Sequence, residues 1–499
     1  MTQSRHLLNR WRGFRWQQFA CVLLIMGHCG CSNDTKVHLP VAASQHDLDG
    51  EDWPMFLGPQ GTGVSSETGL PEKWPTGGPP IIWEKKVGTG YSAPSVLGNR
   101  LVLHHRVDGD EIVECMQAND AQRMWELRYP TDFSASMGFN DGPICTPLLT
   151  DDRCYTFGAK GRLHCLDLKT GSKLWMRDTK QDFNVVDEAF GVGCTPILED
   201  DQLIVLVGGQ PNSGVVAFNA NTGEVVWESV GKQTWDGVPN GLAAGTKHKW
   251  KDNEWIVSYS SPTAATINGK RHILCLTRHG LVSLDPTDGR ENFKYWFRSR
   301  DHLSCNVARP LVIGDRIFLS AAYQLGSVLL QVNEDGTSVE EVWRSRENML
   351  THWATPIHVD GFIYGFSGRY ENGTLRCLDV ETGEVLWETE GHDRDTGGIE
   401  LDPDTKKYRD TTTGLTIPWP FFGRGSKIQI EDKFIVLGER GTLALVKINS
   451  EKYEEISRTQ YEQIQSQTYT APVLSRKRLY LRCEGAMICL DMSGQTWNN

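Results

Sequence analysis

The residues best suited to bind a small molecule lie just before a proline motif that recurs along the chain. They combine aromatic rings, amides, an acid, an arginine and a histidine, which together suit a small polar ligand. The candidate ligand site comprises Tyr91, Asn140, Asp141, Tyr259, Asn306, Arg309, His352, Trp353 and Tyr469. His352 could act as a base or a ligand, but the sequence offers it no partner, and a hydrogen-bonded structural role is the alternative. The alternative is that these positions are polar only because they border a water-filled channel, as many channels that hold no ligand do.

No motif in the sequence identifies a catalytic centre. The serine-hydrolase GxSxG, zinc HExxH, phosphate-binding Walker and dinucleotide-binding GxGxxG patterns are absent, and no CxxC pair indicates zinc. We therefore predict no catalytic residue and no metal ligand.

The proline motif begins a repeated unit of short β-strands. Each unit continues through a β-rich run, a glycine turn, an apolar run that often ends in Leu-Asp, and a last strand that ends at Trp. The prolines of the motif are Pro94, Pro147, Pro196, Pro262, Pro310, Pro356 and Pro472. Four-stranded units of roughly 45 to 50 residues are typical of propeller blades.

A second motif, Asp/Asn-x-x-Thr-Gly-x-x-x-Trp, ends the unit. In this motif we expect Asp or Asn to cap a turn, Gly to adopt a positive φ, and Trp to pack between neighbouring blades. The clearest copies are Asp167, Thr170, Gly171 and Trp175; Asn219, Thr222, Gly223 and Trp227; and Asp379, Thr382, Gly383 and Trp387. We interpret all of them as structural rather than as a platform for a cofactor.

The repeats predict an all-β fold, a single eight-bladed β-propeller of four-stranded antiparallel blades. Further outer-strand tryptophans are Trp125, Trp343 and, in a degraded unit, Trp296. The seventh unit, 425–458, has lost both Pro and Trp, and the eighth stops after three strands. The N-terminal strand Ile81–Lys86 would complete that last blade and close the ring, which removes exposed sheet edges. Seven blades are the alternative.

The N-terminus has the features of a secretory leader. Four arginines precede a short apolar run that cannot span a bilayer, which needs about 20 residues. The run ends in Gly-His-Cys-Gly-Cys, so we predict a lipoprotein signal peptide, 1–31, with Cys31 as the acylated residue. Acylation of Cys29, or ordinary cleavage near Gly30, is the alternative.

After the leader we expect a polar tether, 32–52, and then the propeller, 53–499. The protein should be exported and lie in the periplasm or on the outer membrane through a lipid anchor. Its net charge of −12 argues against a nucleic-acid partner, because phosphate backbones would repel it.

Ten of the 13 cysteines follow the leader. Cys165, Cys377 and Cys489 occupy one position of the repeat, and equivalent positions in different repeats lie too far apart to pair. We interpret these cysteines as small buried core residues. A single bridge elsewhere stays open, but the pattern does not predict a disulfide scaffold.

The second motif resembles the tryptophan-docking motif of the PQQ-like repeat propellers, also called quinoprotein alcohol dehydrogenase-like. The resemblance covers 53–491. The opening DWPMFLGPQGTGV and the later WEKKVGTGYSAPSV are similar to PQQ-like repeat lipoproteins of planctomycete-type bacteria. The resemblance implies the fold, whereas one propeller fold carries many activities.

Three functions are compatible with this resemblance. We favour a non-catalytic binding or scaffold protein of the cell envelope, distantly similar to the propeller lipoprotein of the barrel-assembly machinery, which docks partners without a cofactor. On this hypothesis the chain is a monomer, needs no cofactor, and binds an envelope protein or a glycan.

The first alternative is an alcohol or sugar dehydrogenase dependent on pyrroloquinoline quinone (PQQ). The resemblance would then imply PQQ, calcium, an adjacent Cys-Cys disulfide, and Asp, Glu and Asn site residues. This chain has no adjacent cysteine pair, and no such set can be matched residue by residue. The second alternative is a propeller that binds or processes carbohydrate or another polymer.

Two long loops, 228–259 and 388–424, follow outer strands. Long loops in a compact fold are usually functional or disordered. Their candidate contact residues are Trp235, Trp250, Trp255, Trp419, Phe421, Phe422 and Arg424. An exposed apolar cluster would form a contact surface for a partner. The alternative is that the loops fold back over the channel.

Overall fold

The structure is a computed structural model. It describes residues 35–37, 49–135, 140–186, 190–241, 244–301, 304–369, 372–392, 398–405, 407–495 and 497. The predicted signal peptide with Cys31, and most of the predicted tether, lie outside the described residues.

The described chain is built almost entirely of β-strands, most of them in antiparallel sheets whose four strands follow one another in sequence. Sheet 1 comprises Ser95–Leu97, Arg100–Val107, Asp110–Gln117 and Arg123–Pro130. Sheet 2 comprises Leu148–Leu149, Arg153–Phe157, Arg162–Asp167 and Lys173–Asp178. Sheet 3 comprises Ile197–Glu199, Gln202–Val205, Val215–Asn219 and Val225–Ser229. Sheet 4 comprises Thr263–Ile267, Lys270–Leu276, Gly280–Leu284 and Glu291–Trp296.

The second half of the chain continues the pattern. Sheet 5 comprises Leu311–Ile313, Arg316–Ala321, Gly326–Val332 and Val339–Ser345. Sheet 6 comprises Ile357–Val359, Phe362–Ser367, Thr374–Asp379 and Val385–Thr389. Sheet 7 comprises Ser426–Ile430, Lys433–Leu437, Thr442–Lys447 and Glu455–Gln460, with Val64–Ser65 parallel to its first strand. Sheet 8 comprises Val473–Ser475, Arg478–Cys483, Ala486–Asp491, Ile81–Lys86 and Thr35–Val37.

The remaining elements are small. A three-stranded sheet comprises Ile399–Leu401, Tyr408–Asp410 and Thr416–Ile417. Two short helices, Thr179–Asp182 and Lys232–Trp235, and a 3-10 turn, Glu462–Ile464, complete the described chain. None of these helices is long and apolar enough to cross a membrane.

The position of a strand within its sheet determines its burial. All six residues of Arg478–Cys483, a second strand, are buried, whereas no residue of the outer strand Lys173–Asp178 is buried. Second and third strands carry continuous apolar runs because both faces of a sheet pack against neighbouring sheets. One apolar cluster joins residues of sheets 2, 3 and 4. These repeated antiparallel sheets are consistent with a β-propeller.

The docked tryptophans link the outer strands of six sheets to the next sheet. Trp175 donates its indole N–H to the carbonyl of Ala220, at 3.0 Å. Gly223 lies against the same indole with φ +72°, and a Cβ there would come within 2.8 Å of the ring. The same type of hydrogen bond joins Trp83 to Ala118, Trp125 to Leu168, Trp227 to Pro286, Trp343 to Val380 and Trp387 to Asn449. The motif therefore connects sheets and leaves its tryptophans unavailable to a ligand.

The acid and the threonine of the motif stabilise its turn. The carboxylate of Asp167 accepts hydrogen bonds from the backbone N–H and the hydroxyl of Thr170, both at 2.7 Å. Asp379 accepts the same pair from Thr382. These bonds fix the turn so that its glycine meets the docked indole.

Hydroxyl groups before the motif prolines join the first strands of neighbouring sheets. The backbone N–H of Thr146 donates to the hydroxyl oxygen of Thr195, at 3.1 Å. Equivalent bonds run from Ala93 to Thr146, from Thr195 to Ser261 and from Arg309 to Thr355. They satisfy backbone donors that no strand partner reaches.

The N-terminal strand Ile81–Lys86 pairs antiparallel with Ala486–Asp491, with Trp83 opposite Cys489. The structure departs from the predicted tether at both of its ends. Thr35–Val37 adds a further strand beside Ile81–Lys86, and Asp52 forms an ion pair with Arg476 at 2.8 Å. Both segments are ordered because their polar groups find partners in sheet 8.

The ten cysteines of the described chain form no disulfides with one another, and all but Cys305 are buried.

Candidate functional site

The segments that precede the first strands of all eight sheets border one cavity of about 200 Å³, the shared cavity. Phe56 and Leu57, from the N-terminal segment, also line it. Because each sheet contributes a few residues, side chains far apart in sequence face one space.

The shared cavity brings together six of the nine predicted ligand residues. These are Tyr91, Asn140, Tyr259, His352, Trp353 and Tyr469. Their aromatic rings contact one another, with 5.1 Å between the centroids of Tyr91 and Tyr469 and 5.9 Å between those of Trp353 and Tyr469. The wall is therefore largely aromatic.

The other three predicted residues serve the backbone instead. The carboxylate of Asp141 accepts the N–H of Ala135 at 2.7 Å. The amide of Asn306 is buried and donates to two backbone carbonyls. Arg309 is also buried and donates to the carbonyls of Gly61 and Pro262, each at 2.6 Å. Buried backbone groups need hydrogen-bond partners, and Asn306 and Arg309 supply donors to carbonyls while Asp141 supplies an acceptor to an N–H.

Arg424, predicted to lie on a loop contact surface, lines the shared cavity. Its guanidinium forms hydrogen bonds with the carboxylate of Glu439 and the hydroxyl of Tyr469. Burial alone would raise the pKa of Glu439, but the hydrogen bonds and charge of Arg424 outweigh it and lower that pKa. The arginine charge is thus compensated within the protein.

Among the wall residues that our prediction missed, Lys427 is the charged one. Its side chain is buried, and desolvation lowers its pKa to about 7. Among the described residues its ammonium has no hydrogen-bond acceptor and no carboxylate partner. It lies over the ring of Phe434, 5.7 Å from the ring centroid.

The repeat contains a signal for Lys427. Six of the motif prolines lie six residues before the second strand of their sheet, and Lys427 lies six residues before Lys433. The seventh unit therefore has a lysine where the others have proline. The missing proline is therefore more than a sign of a degraded repeat, because the lysine that replaces it places a charged side chain at the cavity wall.

His352 has a partner in three dimensions. Its Nε2 lies 3.3 Å from the hydroxyl of Tyr323, which lies 3.4 Å from the thiol of Cys305. Desolvation, then the charges of Arg424 and Arg369, lower the pKa of His352 to about 4, so the imidazole is neutral at pH 7. A nucleophile requires its base within hydrogen-bond reach, and here a tyrosine stands between thiol and imidazole.

The two long loops fold inward rather than forming an exposed contact surface. Trp235, Trp250 and Phe422 are buried. Trp255 is half-buried beneath the guanidinium of Arg278. Trp419 and Phe421 are half-buried and pack edge-on against Tyr408. Large apolar rings in a loop can bury their surface against their own fold. Of the seven predicted loop contact residues, only Arg424 borders the shared cavity, so the described rings do not form a cover over it.

The first loop contributes to a cluster of the half-buried His248 with the buried Glu254 and His279, whose possible ligand atoms lie within 4.8 Å of one another. The ring of His279 is stacked between Trp235 and Trp250. Two histidines and a carboxylate are a ligand set that zinc accepts. The prediction of no metal ligand rested on sequence spacing, which cannot bring these residues together.

The charge of this cluster is already balanced. The carboxylate of Glu254 lies 3.2 Å from Nε2 of His279 and 2.9 Å from the guanidinium of Arg298. Burial would raise the pKa of Glu254, but these two partners lower it to about 2. A bound cation would have to compete with Arg298 for the same oxygen.

The family model described as PQQ_2, outer membrane protein assembly factor BamB, matches residues 109–389, more than half of the chain. The chain belongs to the PQQ_2 family. It is a PQQ-like repeat β-propeller distantly similar to BamB. No curated protein sequence matches the chain.

Solved structures similar to this PQQ_2 propeller include BamB from Moraxella catarrhalis, at 14% identity and a TM-score of 0.48, covering 83% of this chain and 99% of that chain. Quinohemoprotein alcohol dehydrogenase from Pseudomonas putida HK5 is 12% identical, with a TM-score of 0.48, and covers 92% of this chain and 82% of that chain. A europium-containing methanol dehydrogenase is 13% identical, with a TM-score of 0.48, over 88% and 90%.

The sequence alternative of a quinoprotein dehydrogenase raises the question whether the cavity of the PQQ_2 propeller suits PQQ with calcium. Calcium takes oxygen ligands, above all carboxylates, and none of the described residues lining the cavity is an acid. Cys305 is the one cysteine among them, so they include no cysteine pair. The positive charge of Lys427 would repel calcium. The described residues do not fit the PQQ–calcium pair.

Proposed function

We propose that the chain is a non-catalytic binding protein of the cell envelope, and that its shared cavity receives a small ligand. The observation that carries the proposal is the make-up of the cavity wall. Aromatic rings and two cationic side chains face one space, while none of the described residues on the wall is a carboxylate. Such a wall suits a bound small molecule.

The proposal includes an eight-bladed ring in which sheets 1 to 8 are the blades. Support comes from Ile81–Lys86, which pairs with the last strand of sheet 8, and from Trp83, which donates to the carbonyl of Ala118 beside sheet 1. A second support is that all eight sheets border the same cavity. A closed ring would hold the wall residues in fixed positions without a ligand.

The envelope location is supported by the leader pattern, with Cys31 as the proposed lipid attachment site, and by the family, whose model is described as an outer membrane assembly factor. By analogy with an assembly factor, the outer surface of the propeller could bind a protein partner while the shared cavity holds a small ligand. Metabolic labelling of the producing cells with palmitate would test Cys31. The wild-type protein should incorporate the label, whereas a Cys31→Ser variant should lose the lipid and remain soluble after export.

The test of the cavity function is a calorimetric titration of PQQ, with and without calcium, into the processed protein. We expect no calcium-dependent binding and no dye-linked oxidation of alcohols or sugars. Saturable one-to-one binding that requires calcium, together with oxidation, would overturn the proposal in favour of a quinoprotein dehydrogenase. Weak, calcium-independent binding would still agree with a cationic, aromatic cavity.

A further inference from the structure

Lys427 is a buried cation without a charge partner in the described chain. It lies on the first strand of sheet 7, its side chain is 3% exposed, and it borders the shared cavity. Removing an ammonium group from water is costly unless a negative charge or a set of acceptors replaces the water. Any partner for this group must therefore enter through the cavity.

The two cations on the wall differ in this respect. The guanidinium of Arg424 pairs with the carboxylate of Glu439, which also accepts a hydrogen bond from the hydroxyl of Tyr469 at 2.8 Å. Lys433, one strand from Lys427, is equally buried but holds Asp432 at 2.6 Å and Glu72 at 2.9 Å. Lys427 alone of these three brings an uncompensated positive charge to its site.

The rest of the wall determines the body of the ligand. Tyr91, Trp353 and Tyr469 form a connected aromatic surface. A strongly hydrated dianion such as phosphate would need several donors, and an aromatic wall with one uncompensated ammonium offers few. One positive charge beside aromatic rings matches a monoanion with an apolar or unsaturated body.

We infer that the shared cavity binds a small organic monocarboxylate, whose carboxylate pairs with the ammonium of Lys427 and whose apolar body packs against Tyr91, Trp353 and Tyr469. The inference rests on the proposed function, because it names the ligand class of the same cavity. It assigns a binding role to Lys427, the residue that replaces the motif proline in the seventh unit.

Lys427 can change charge near neutral pH, and the other titratable groups on the described wall are His352, the thiol of Cys305 and four tyrosines. His352 is neutral there, because its pKa is about 4. Burial raises the pKa of Tyr91, Tyr323 and Tyr469 above their ordinary value. Affinity for a carboxylate should therefore fall as the pH rises above about 7, the value to which desolvation lowers the pKa of Lys427.

The experiment compares benzoate with its neutral analogue benzamide by calorimetric titration into the full-length processed protein. We expect benzoate to bind about tenfold or more tightly than benzamide, and to weaken as the pH is raised from 6 to 9, where benzoate itself stays ionised. The Lys427→Met variant, which keeps the volume but not the charge, should bind both probes equally at every pH. Lys433→Met is the matched control and should retain the preference.

Equal affinity of the wild-type protein for the two probes, or a preference that survives Lys427→Met, would overturn the inference. So would the absence of benzoate binding at millimolar concentration. None of these results touches the proposed function, which fails separately if PQQ binds in a calcium-dependent way and alcohols are oxidised. Circular dichroism of both variants would show that neither result comes from unfolding.

Discussion

The contact between sheet 8 and sheet 1 predicts a specific non-additive effect on stability. The carbonyl of Ala118 accepts two hydrogen bonds from sheet 8, one from the indole of Trp83 at 3.1 Å and one from the hydroxyl of Tyr480 at 3.3 Å. Trp83 and Tyr480 are 0% and 1% exposed, so no water reaches the carbonyl if both donors are removed.

Each single change leaves the carbonyl one donor. Tyr480→Phe should cost about 1 kcal/mol, the net worth of one hydrogen bond. Trp83→Phe should cost roughly 2 kcal/mol, because the smaller ring also leaves a void. The double variant strands a buried carbonyl, which adds about 1–3 kcal/mol beyond the sum. The coupling between the two residues is therefore expected to exceed 1 kcal/mol.

Urea unfolding followed by circular dichroism measures this cycle through the midpoint and slope of each variant. The control cycle combines Tyr480→Phe with Trp227→Phe, whose indole docks on the carbonyl of Pro286 at 3.0 Å in another sheet. Distant changes add within about 0.5 kcal/mol. If the Trp83 cycle is equally additive, then water or another donor reaches Ala118, and the two ends of the chain are not packed as described.

Three further predictions concern the turn, the hydroxyl contacts and the buried histidine. Gly223→Ala, which adds a Cβ 2.8 Å from an indole, should lower the melting temperature more than Gly241→Ala, which has a similar positive φ but open space around it. Thr195→Val removes the acceptor for the N–H of Thr146 and should cost about 1–3 kcal/mol in urea unfolding, whereas Thr195→Ser should be nearly neutral. Burial lowers the pKa of His279 from 6.5 to about 4. The contribution of the neutral imidazole to the free energy of unfolding is therefore complete above pH 6.5 and falls by up to about 3 kcal/mol as the pH drops to 4. His279→Gln should flatten that part of the stability–pH curve, and an unchanged curve would show that the histidine is accessible to protons in the folded state.

The repeat motifs carry most of the information about the fold because they act locally. Asp167 and Thr170 form the turn within four residues, and the distance from Gly171 to the next motif tryptophan is set by the strand between them. The same regularity indicates which residues border the cavity, since the segment before each proline has one position in every sheet. Tyr91 and Trp353 could be predicted for this reason.

The direction of a side chain could not be predicted in the same way. Arg309 and Asn306 stand at the right positions but turn to backbone carbonyls that only the folded chain brings near them. Lys427 was overlooked because a missing proline suggests decay of a repeat, while its burial is a property of the packed sheet. Trp235 illustrates the converse error, because the composition of a loop does not tell whether its rings face water or the core.

The pairing of Ile81–Lys86 with Ala486–Asp491 also governs when the protein can finish folding. A chain that emerges from a ribosome or a translocation pore with its N-terminus first presents Ile81–Lys86 early, and this strand must wait for nearly all the rest before its partner arrives. Contacts of such high sequence separation form late. Until Ala486–Asp491 has been synthesised, the edge of Ile81–Lys86 that it covers stays unpaired, and an unpaired strand edge can associate with other chains.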